Sequence, residues 1–422
     1  MTIEFKRRKE TEILLKLRGN GRIKVIEGLR QVGKSYLLKN LFSDALLALD
    51  VKKDEIAFLD FLKANNEIRD EAKLKSKVAD LLQRRKITYL FMDEIQLVGH
   101  YGEALKSLHA QYPEVDIYVT GSNSKTLSKD IRREIGAKDC DEIVVRPLTY
   151  EEILEDSPSY PFSEYFFWGG IPKVVLAEDE EAKDKTFESL RCDVYEKDVL
   201  ERTLDLKNIG ENEKLKILQR VFDTITTGLS LKAIAREINA DNRSESKNST
   251  ALHADLDTYF KRLADSFLFE TMEEDSSESK EGRKKRIEDR GKCYCEDPGL
   301  LRHASQASDL DSAVFENLVY MHLLSRGYKP VSLKFDYFDS INGEECKNRG
   351  IDFCFEKGGM TYMVQATLVL YGGSNYQREV HNLLFAKKEG RKIVVYYFDK
   401  AGDHPDSDGV EFMQIEEFLR AV

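Results

Sequence analysis

Residues 24–38, KVIEGLRQVGKSYLL, decide the fold of the first part of the chain. A short apolar strand runs into G-L-R-Q-V-G-K-S, and a helical pattern of apolar residues follows. This is G-x-x-x-x-G-K-S in the strand–loop–helix setting that a phosphate-binding loop requires. The two glycines let consecutive backbone N–H groups point at phosphate oxygens, and the following helix aims its positive dipole end at the same anion. The stretch therefore predicts a nucleoside triphosphate site.

The positions of this loop have separate predicted roles. Lys34 would reach the β- and γ-phosphates of ATP, and the Ser35 hydroxyl would bind Mg²⁺. The predicted nucleotide contacts are Gly28, Leu29, Arg30, Gln31, Val32, Gly33, Lys34, Ser35 and Tyr36. The alternative is a glycine-rich turn that binds nothing. It is disfavoured because the fixed positions coincide with the flanking strand and helix.

A buried strand over residues 87–93 ends in two adjacent carboxylates, Asp93 and Glu94. An apolar strand that ends in Asp at this distance from the loop is typical of the element that holds Mg²⁺ through its water shell. Glu94 is placed to polarise the attacking water. Lys34 and Glu94 are therefore the predicted catalytic residues, and the pair of acids favours an ATPase over a small GTPase or a nucleotide kinase. An acidic strand end exposed to water is the alternative.

Two weaker signals follow along the chain. The strand that begins at Asp116 ends in small polar residues, of which Asn123 or Ser122 could sense the γ-phosphate. Arg132 or Arg133 could act as an arginine finger in its own site or in a neighbouring subunit, although a surface helix is the commoner reason for such arginines. Strands that alternate with helices predict an α/β fold whose parallel sheet is covered on both faces, with the ligand at the carboxyl ends of the strands.

The composition is that of a globular protein with several domains. The chain has 422 residues, of which 41% are hydrophobic and 33% charged, so about three domains are expected. No apolar run is long enough for a membrane span, and the first residues do not form a signal peptide. Six scattered cysteines favour a reducing, cytoplasmic compartment. The net charge of -11 argues against a surface that binds nucleic acid throughout.

The motifs together resemble the prokaryotic AAA-like ATPases that carry a C-terminal domain of unknown function with a restriction-endonuclease-like fold. The stretches that carry the resemblance are GLRQVGKSYLL, FMDEIQ, TGSNSKTLS, RPLTYEEIL and FFWGGIP. Relatives usually have Pro where Leu29 stands and Thr where Ser35 stands, and both changes are mild. They often have Gly-Arg where this chain has Gly136-Ala137, so the resemblance supports no arginine finger at that point.

Four regions are expected. They are a P-loop ATPase domain (1–150), a helical lid or connector (151–210), a winged-helix domain (211–304) and a restriction-endonuclease-like domain (305–422). The recognition helix expected in the third region carries His253, Asp255, Asp257, Lys261 and Arg262, and is nearly neutral. Weak DNA contact through the basic wing at 283–286 is therefore the minor interpretation, and a protein-binding module is the major one.

The last region contains a degenerate version of a nuclease site. Nucleases of the fold implied by the resemblance use a helix Glu, a strand Asp and a following Glu/Gln-x-Lys to hold Mg²⁺ and activate water. The corresponding residues are Glu316, Asp352 and Gln365, but Thr367 occupies the lysine position. Without that ammonium the developing charge would lose its nearest cation. A vestigial nuclease is therefore favoured over an active one.

The leading hypothesis is a cytoplasmic, Mg²⁺-dependent ATPase. Its ATP or ADP state would be read out by the winged-helix and nuclease-like modules to a protein partner that the sequence does not identify. An oligomer is compatible with the sequence, and no membrane contact is expected. The rival hypothesis is an ATP-regulated DNA-binding protein or nuclease. A third is a nucleotide switch with negligible turnover, which Glu94 disfavours.

Overall fold

The computed structural model describes residues 4–63, 68–121, 126–200, 203–226, 249–278, 292–341, 343–371, 374–400, 407 and 409–422. Three of the predicted features lie outside these residues. They are the polar pair Ser122 and Asn123, the second helix of the expected winged helix (231–238) and the basic wing (283–286).

Five parallel strands form the first sheet, in the order β2-β3-β4-β1-β5. The strands are β1 (Ile23–Glu27), β2 (Ile56–Asp60), β3 (Tyr89–Asp93), β4 (Asp116–Thr120) and β5 (Cys140–Val144). The helices are α1 (Arg8–Leu17), α2 (Lys34–Tyr36) with a π-helical continuation (Leu37–Phe42), α3 (Ser43–Leu47), α4 (Glu71–Arg84), α5 (Tyr101–Gln111) and α6 (Thr126–Ile135). The predicted parallel sheet and α/β architecture are confirmed.

Both faces of this sheet are covered. Successive residues of each central strand alternate between two hydrophobic cores, because neighbouring side chains on a strand point to opposite faces. Ile26, Phe91 and Tyr118 belong to one core, which also includes helices of the middle of the chain. Val25 and Met92 belong to the other, which lies under α4, α5 and α6. This burial explains why the strands are continuous apolar runs in the sequence.

The last strand of the sheet, β5, ends at Val144, shortly before a proline. Pro147 has no N–H to donate to a neighbouring strand. The preceding Arg146 turns away from the sheet, and its guanidinium forms two hydrogen bonds with Glu296 (2.6 and 2.7 Å) and one with Glu270 (3.0 Å). The chain therefore leaves the sheet at an ion cluster shared with residues far along the sequence.

The middle of the chain is mostly helical. Its helices are α7 (Tyr150–Asp156), α8 (Phe162–Trp168), α9 (Pro172–Val175), α10 (Glu180–Cys192) with a π-helical continuation (Asp193–Leu200), α11 (Glu211–Asp223) and α12 (Ser249–Asp265). Its strands are β6 (Phe269–Thr271), β7 (Glu274–Glu278) and β8 (Cys293–Cys295). β6 and β8 pair antiparallel. The winged helix as a whole stays a prediction.

The C-terminal region is a six-stranded mixed sheet with helices. Its helices are α13 (Pro298–Ala304), α14 (Leu310–Ser325), α15 (Ser374–Leu384) and α16 (Ile415–Ala421). Its strands are β9 (Val331–Asp339), β10 (Glu344–Lys357), β11 (Met360–Leu370), β12 (Arg391–Asp399) and β13 (Val410–Gln414). The sheet order is β13-β12-β11-β10-β9-β7. β7 was not expected from the sequence, and it pairs parallel to β9. The restriction-endonuclease-like assignment stays a prediction.

Contacts cross the boundary that was expected near residue 304. Asn317 on α14 accepts a hydrogen bond from the Cys295 N–H (2.6 Å) and donates one to the Cys295 carbonyl (3.0 Å). Tyr150, Tyr294 and Phe315 lie in one hydrophobic core. The antiparallel pair of β6 and β8 (the β6–β8 hairpin) is therefore packed between the segment that follows β5 and the C-terminal sheet. Among the helices in the described ranges, none combines the length and the apolarity needed to cross a membrane.

Candidate functional site

The two glycines of the loop are required by its backbone. Gly28 has φ 145°, and a Cβ there would lie 2.1 Å from the Val145 carbonyl oxygen, so no side chain fits. Gly33 has φ 95°, in the left-handed region that favours glycine. Leu29 and Val32 are fully buried and anchor the loop to the core. The loop is thus held by its apolar residues while its backbone bends around an open centre.

The Lys34 ammonium lies inside this bend. Its Nζ donates hydrogen bonds to the carbonyl oxygens of Gly28 and Leu29, each at 2.8 Å, and the residue is buried. A phosphate would be a stronger partner for an ammonium than neutral carbonyls are. The lysine is therefore positioned where an anion in the loop would meet it.

Ser35 and Asp93 meet at the carboxyl edge of the sheet. Ser35 Oγ donates a hydrogen bond to Asp93 Oδ1 (2.8 Å), and the Thr120 hydroxyl donates to the same oxygen. Burial raises the pKa of Asp93, although the two hydroxyls oppose that shift. A hydroxyl and a carboxylate are hard oxygen donors of the kind that Mg²⁺ prefers. This pair therefore fits the metal that was predicted for it.

Glu94 follows Asp93 in a left-handed conformation (φ 58°). Its backbone N–H donates to Thr120 Oγ1 (3.1 Å), and Gln96 Nε2 donates to its carboxylate. Thr120 thus contacts both acidic residues of the site. Thr120 was not singled out from the sequence, and the predicted sensor, Asn123 or Ser122, lies outside the described residues. The only available signal was a threonine at the end of a buried strand.

An apolar cavity of about 790 Å³ opens beside the loop. It lies between the loop and the α9–α10 helices, and its lining includes Phe5, Arg7, Val32, Tyr36, Leu176 and Thr186. Arg7 is buried and donates from Nη2 to the Val32 carbonyl (2.8 Å), which fixes the chain before α1 to the loop. The hydrogen bond from the Tyr36 hydroxyl to Glu4 raises the pKa of that tyrosine to about 12. The cavity suits a flat ligand with apolar faces, such as the ring of a nucleotide base.

The remaining predicted contacts lie at the edge of the site. Arg30 and Gln31 are partly exposed at the outer turn of the loop, and Gln31 has φ 64°. Arg132 forms an ion pair with Glu142 (2.8 Å). Arg133 lies near Asp130 and Glu134, at 3.3 and 3.4 Å. Both candidate fingers on α6 therefore contact acids of their own chain, and the finger assignment stays a prediction.

Glu27 is a buried acid that the sequence analysis did not single out. It is the last residue of β1, directly before the loop, and accepts hydrogen bonds from the Ser128 hydroxyl (3.0 Å) and the Ser128 N–H (3.3 Å). Burial and the neighbouring Glu142 carboxyl raise its pKa to about 8. Glu27 therefore carries a proton at neutral pH and connects the loop strand to α6.

Glu27→Gln should remove part of the pH dependence of stability. Because the folded-state pKa is raised above the ordinary value, protonated Glu27 stabilises the fold, and this contribution falls between about pH 5 and 8 as the unfolded chain releases the proton first. Unfolding measured by urea titration should show a pH slope that is less negative by about 1.4 kcal/mol per pH unit in that window. The exposed Glu114→Gln serves as control and should keep the wild-type slope. An unchanged slope in Glu27→Gln would contradict the assignment.

The four residues of the predicted degenerate nuclease site also come together. Glu316, Asp352, Gln365 and Thr367 line a single polar cavity of about 960 Å³ in the C-terminal region. The sequence analysis missed Lys292, which lies at the end of the β6–β8 hairpin and reaches the same cavity. Thr367 donates to the Val369 carbonyl (3.2 Å).

Comparisons with known families agree with the motifs. Residues 20–154 match the family model described as AAA domain. Residues 160–311 match a domain of unknown function (DUF8612), which ends within α14. An uncharacterised protein of Haemophilus influenzae is 26% identical over 96% of both chains. The uncharacterised protein MJ1544 of Methanocaldococcus jannaschii is also 26% identical, over 75% of this chain and 69% of its own.

Two solved structures show a more distant likeness. The ORC1 protein of Aeropyrum pernix, solved in complex with DNA, has a TM-score of 0.35 and 12% identity, over 77% of this chain and 95% of its own. Cdc6p from Pyrobaculum aerophilum has a TM-score of 0.28 and 13% identity, over 75% of this chain and 95% of its own. Both TM-scores are low, so nothing about this chain is inferred from these two structures. The loop motif, the parallel sheet and the family match agree, and residues 20–154 of this chain are similar to the AAA domain.

Proposed function

We propose that the chain binds ATP at residues 28–36 and hydrolyses it with Mg²⁺ held near Ser35 and Asp93. The observation that carries this proposal is the convergence of the Lys34 ammonium, the Ser35–Asp93 pair and Glu94 at one edge of the sheet. Magnesium would supply positive charge to the phosphate oxygens and orient them. Side chains and backbone N–H groups of the protein would bind the phosphates and activate the water.

Each group has a distinct part in this proposal. Lys34 would exchange its two carbonyl partners for phosphate oxygens, and the loop N–H groups would bind the same oxygens. Glu94 would accept a proton from the attacking water. Its carboxylate is restrained by Gln96 and its backbone by Thr120, so a shift of either partner would move it. Thr120 is therefore proposed as a further link between the neighbouring strand and the site, and the sensor role of Asn123 or Ser122 stays a prediction.

The cavity beside the loop supports a lid role for residues 151–210. Apolar side chains from α9 and α10 face the loop across it, so a bound base would contact both. Closure on the nucleotide would be transmitted through Arg146, which lies after β5 and contacts Glu270 and Glu296 on the hairpin. We propose that a winged-helix module and a restriction-endonuclease-like module read out this state to a protein partner.

Asp93→Asn tests the metal assignment. The substitution keeps the shape of the side chain but removes a negative charge, so kcat/KM for MgATP should fall about 100-fold or more, as judged from typical effects of catalytic metal ligands. Phosphate release measured over a series of Mg²⁺ concentrations is the readout. Asp60→Asn is a matched control, because Asp60 ends the adjacent strand in register with Asp93. Equal losses in the two variants would show that charge at this edge, rather than metal binding, matters.

A further inference from the structure

The C-terminal cavity contains a lysine ammonium that does not come from the lysine position of the nuclease motif. Lys292 Nζ lies 2.8 Å from Glu316 Oε1 and 3.1 Å from Asp352 Oδ1. Its side chain is only 17% exposed. Burial alone would lower the pKa of this lysine, but Asp352 and Glu316 more than compensate and raise it. The ammonium is therefore charged and lies between the two carboxylates.

Further hydrogen bonds engage other groups of the cluster. Tyr294 donates its hydroxyl hydrogen to the same Glu316 oxygen (2.8 Å). The second oxygen of Asp352 accepts the Ala366 N–H (3.1 Å), and Gln365 Oε1 faces the Asp352 N–H (3.4 Å). A divalent ion at this point needs several oxygen ligands that turn toward it together. Here they turn toward an ammonium and toward backbone N–H groups.

These residues do not fit the metal that the resemblance to nucleases implies. Within the described ranges, no three His, Cys, Asp or Glu side chains form a group that could hold a metal ion. Glu379 is a third carboxylate near Asp352, but one of its oxygens is bound by Arg378 (2.6 Å). Burial and the Asp352 charge raise the pKa of Glu379.

We propose that Lys292 is a built-in counter-ion that takes the place of a divalent metal in the Glu316–Asp352 cluster. The ammonium comes from the hairpin of the middle region and not from the position that Thr367 occupies. Its single positive charge offsets part of the negative charge of the two carboxylates, and it occupies the position between them where a divalent ion would lie. The C-terminal cavity is therefore closed to metal-dependent phosphodiester cleavage, and its acids serve to bind the hairpin.

Manganese binding in the nucleotide-free full chain tests this proposal. Every variant carries Asp93→Asn, which removes the carboxylate proposed to hold Mg²⁺ at the nucleotide site, and free Mn²⁺ is measured by electron paramagnetic resonance. Lys292→Met should bind Mn²⁺ at least tenfold more tightly than the parent, because the two carboxylates then lack their cation. Lys292→Arg keeps the charge and should behave like the parent. Adding Asp352→Asn to Lys292→Met should abolish the gain.

Two results would overturn the proposal. One is a soluble Lys292→Met protein whose Mn²⁺ affinity equals that of the parent. The other is Mn²⁺ binding by the parent that disappears in Asp352→Asn, since this would place a metal among the carboxylates while Lys292 is present. The second comparison needs no substitution at Lys292. It therefore tests the proposal even if Lys292→Met does not fold. Equal Mn²⁺ binding by the parent and by Asp352→Asn supports the built-in cation.

Discussion

Lys34→Ala is expected to weaken ATP binding by about 100-fold or more. The loop then lacks the one mobile ammonium that lies within its bend, in contact with the Gly28 and Leu29 carbonyls. The backbone should keep its shape, because Leu29 and Val32 anchor it independently of the lysine. Isothermal titration calorimetry with MgATP is the measurement, and thermal unfolding without nucleotide verifies that the fold is retained.

Lys39→Ala is the matched control for this experiment. Lys39 is exposed on the same helical run, and its ammonium lies 5.7 Å from the Phe58 ring, away from the loop bend. It should bind ATP like the wild type. If Lys34→Ala binds ATP as tightly as Lys39→Ala does, residues 28–36 do not form the nucleotide site, and the proposed function fails with it.

Glu94→Gln should separate binding from turnover. Glutamine keeps the volume of the side chain but cannot accept the proton of the attacking water, so the hydrolysis rate should fall by about 100- to 10,000-fold. ATP affinity should stay within a few-fold of the wild type, because Lys34 and the loop are untouched. Single-turnover hydrolysis and calorimetry measure the two quantities separately.

Glu103→Gln, on the exposed side of α5, controls for a general change of charge and should leave both quantities unchanged. A Glu94→Gln protein that loses ATP binding as severely as Lys34→Ala would show that Glu94 shapes the site instead of acting as its base.

Local patterns predicted the first sheet and its α/β architecture. The loop, the strand that ends at Asp93 and the parallel sheet each depend on residues that are close in sequence, and the apolar runs reflect burial on both faces. Thr120 and Arg7 were missed because their roles depend on contacts between distant segments. A threonine at a strand end and an arginine before a helix look ordinary until folding brings them to Asp93 and Val32.

The C-terminal region was predicted less completely for the same reason. The helix with Glu316 and the strands with Asp352 and Gln365 could be expected from their periodicity, and all three residues do line one cavity. The nuclease motif is defined by spacing along the chain, and this spacing places its cation only at position 367. The structure supplies the cation from Lys292, on the other side of a boundary that had been expected between two domains. Strand β7 crosses that boundary too.

The β6–β8 hairpin limits how this protein can be divided into fragments. A fragment that ends at residue 304 would keep Lys292 and Cys295 but would lose Glu316 and Asn317, which bind them. It would expose the Lys292 ammonium and the backbone N–H and carbonyl groups of Cys295. It would also expose the ring of Tyr294, which is otherwise fully buried. A fragment that begins at 305 would leave Glu316 and Asp352 facing each other without a cation. Neither half should be taken as a faithful stand-alone unit, and binding partners should be sought with the intact chain.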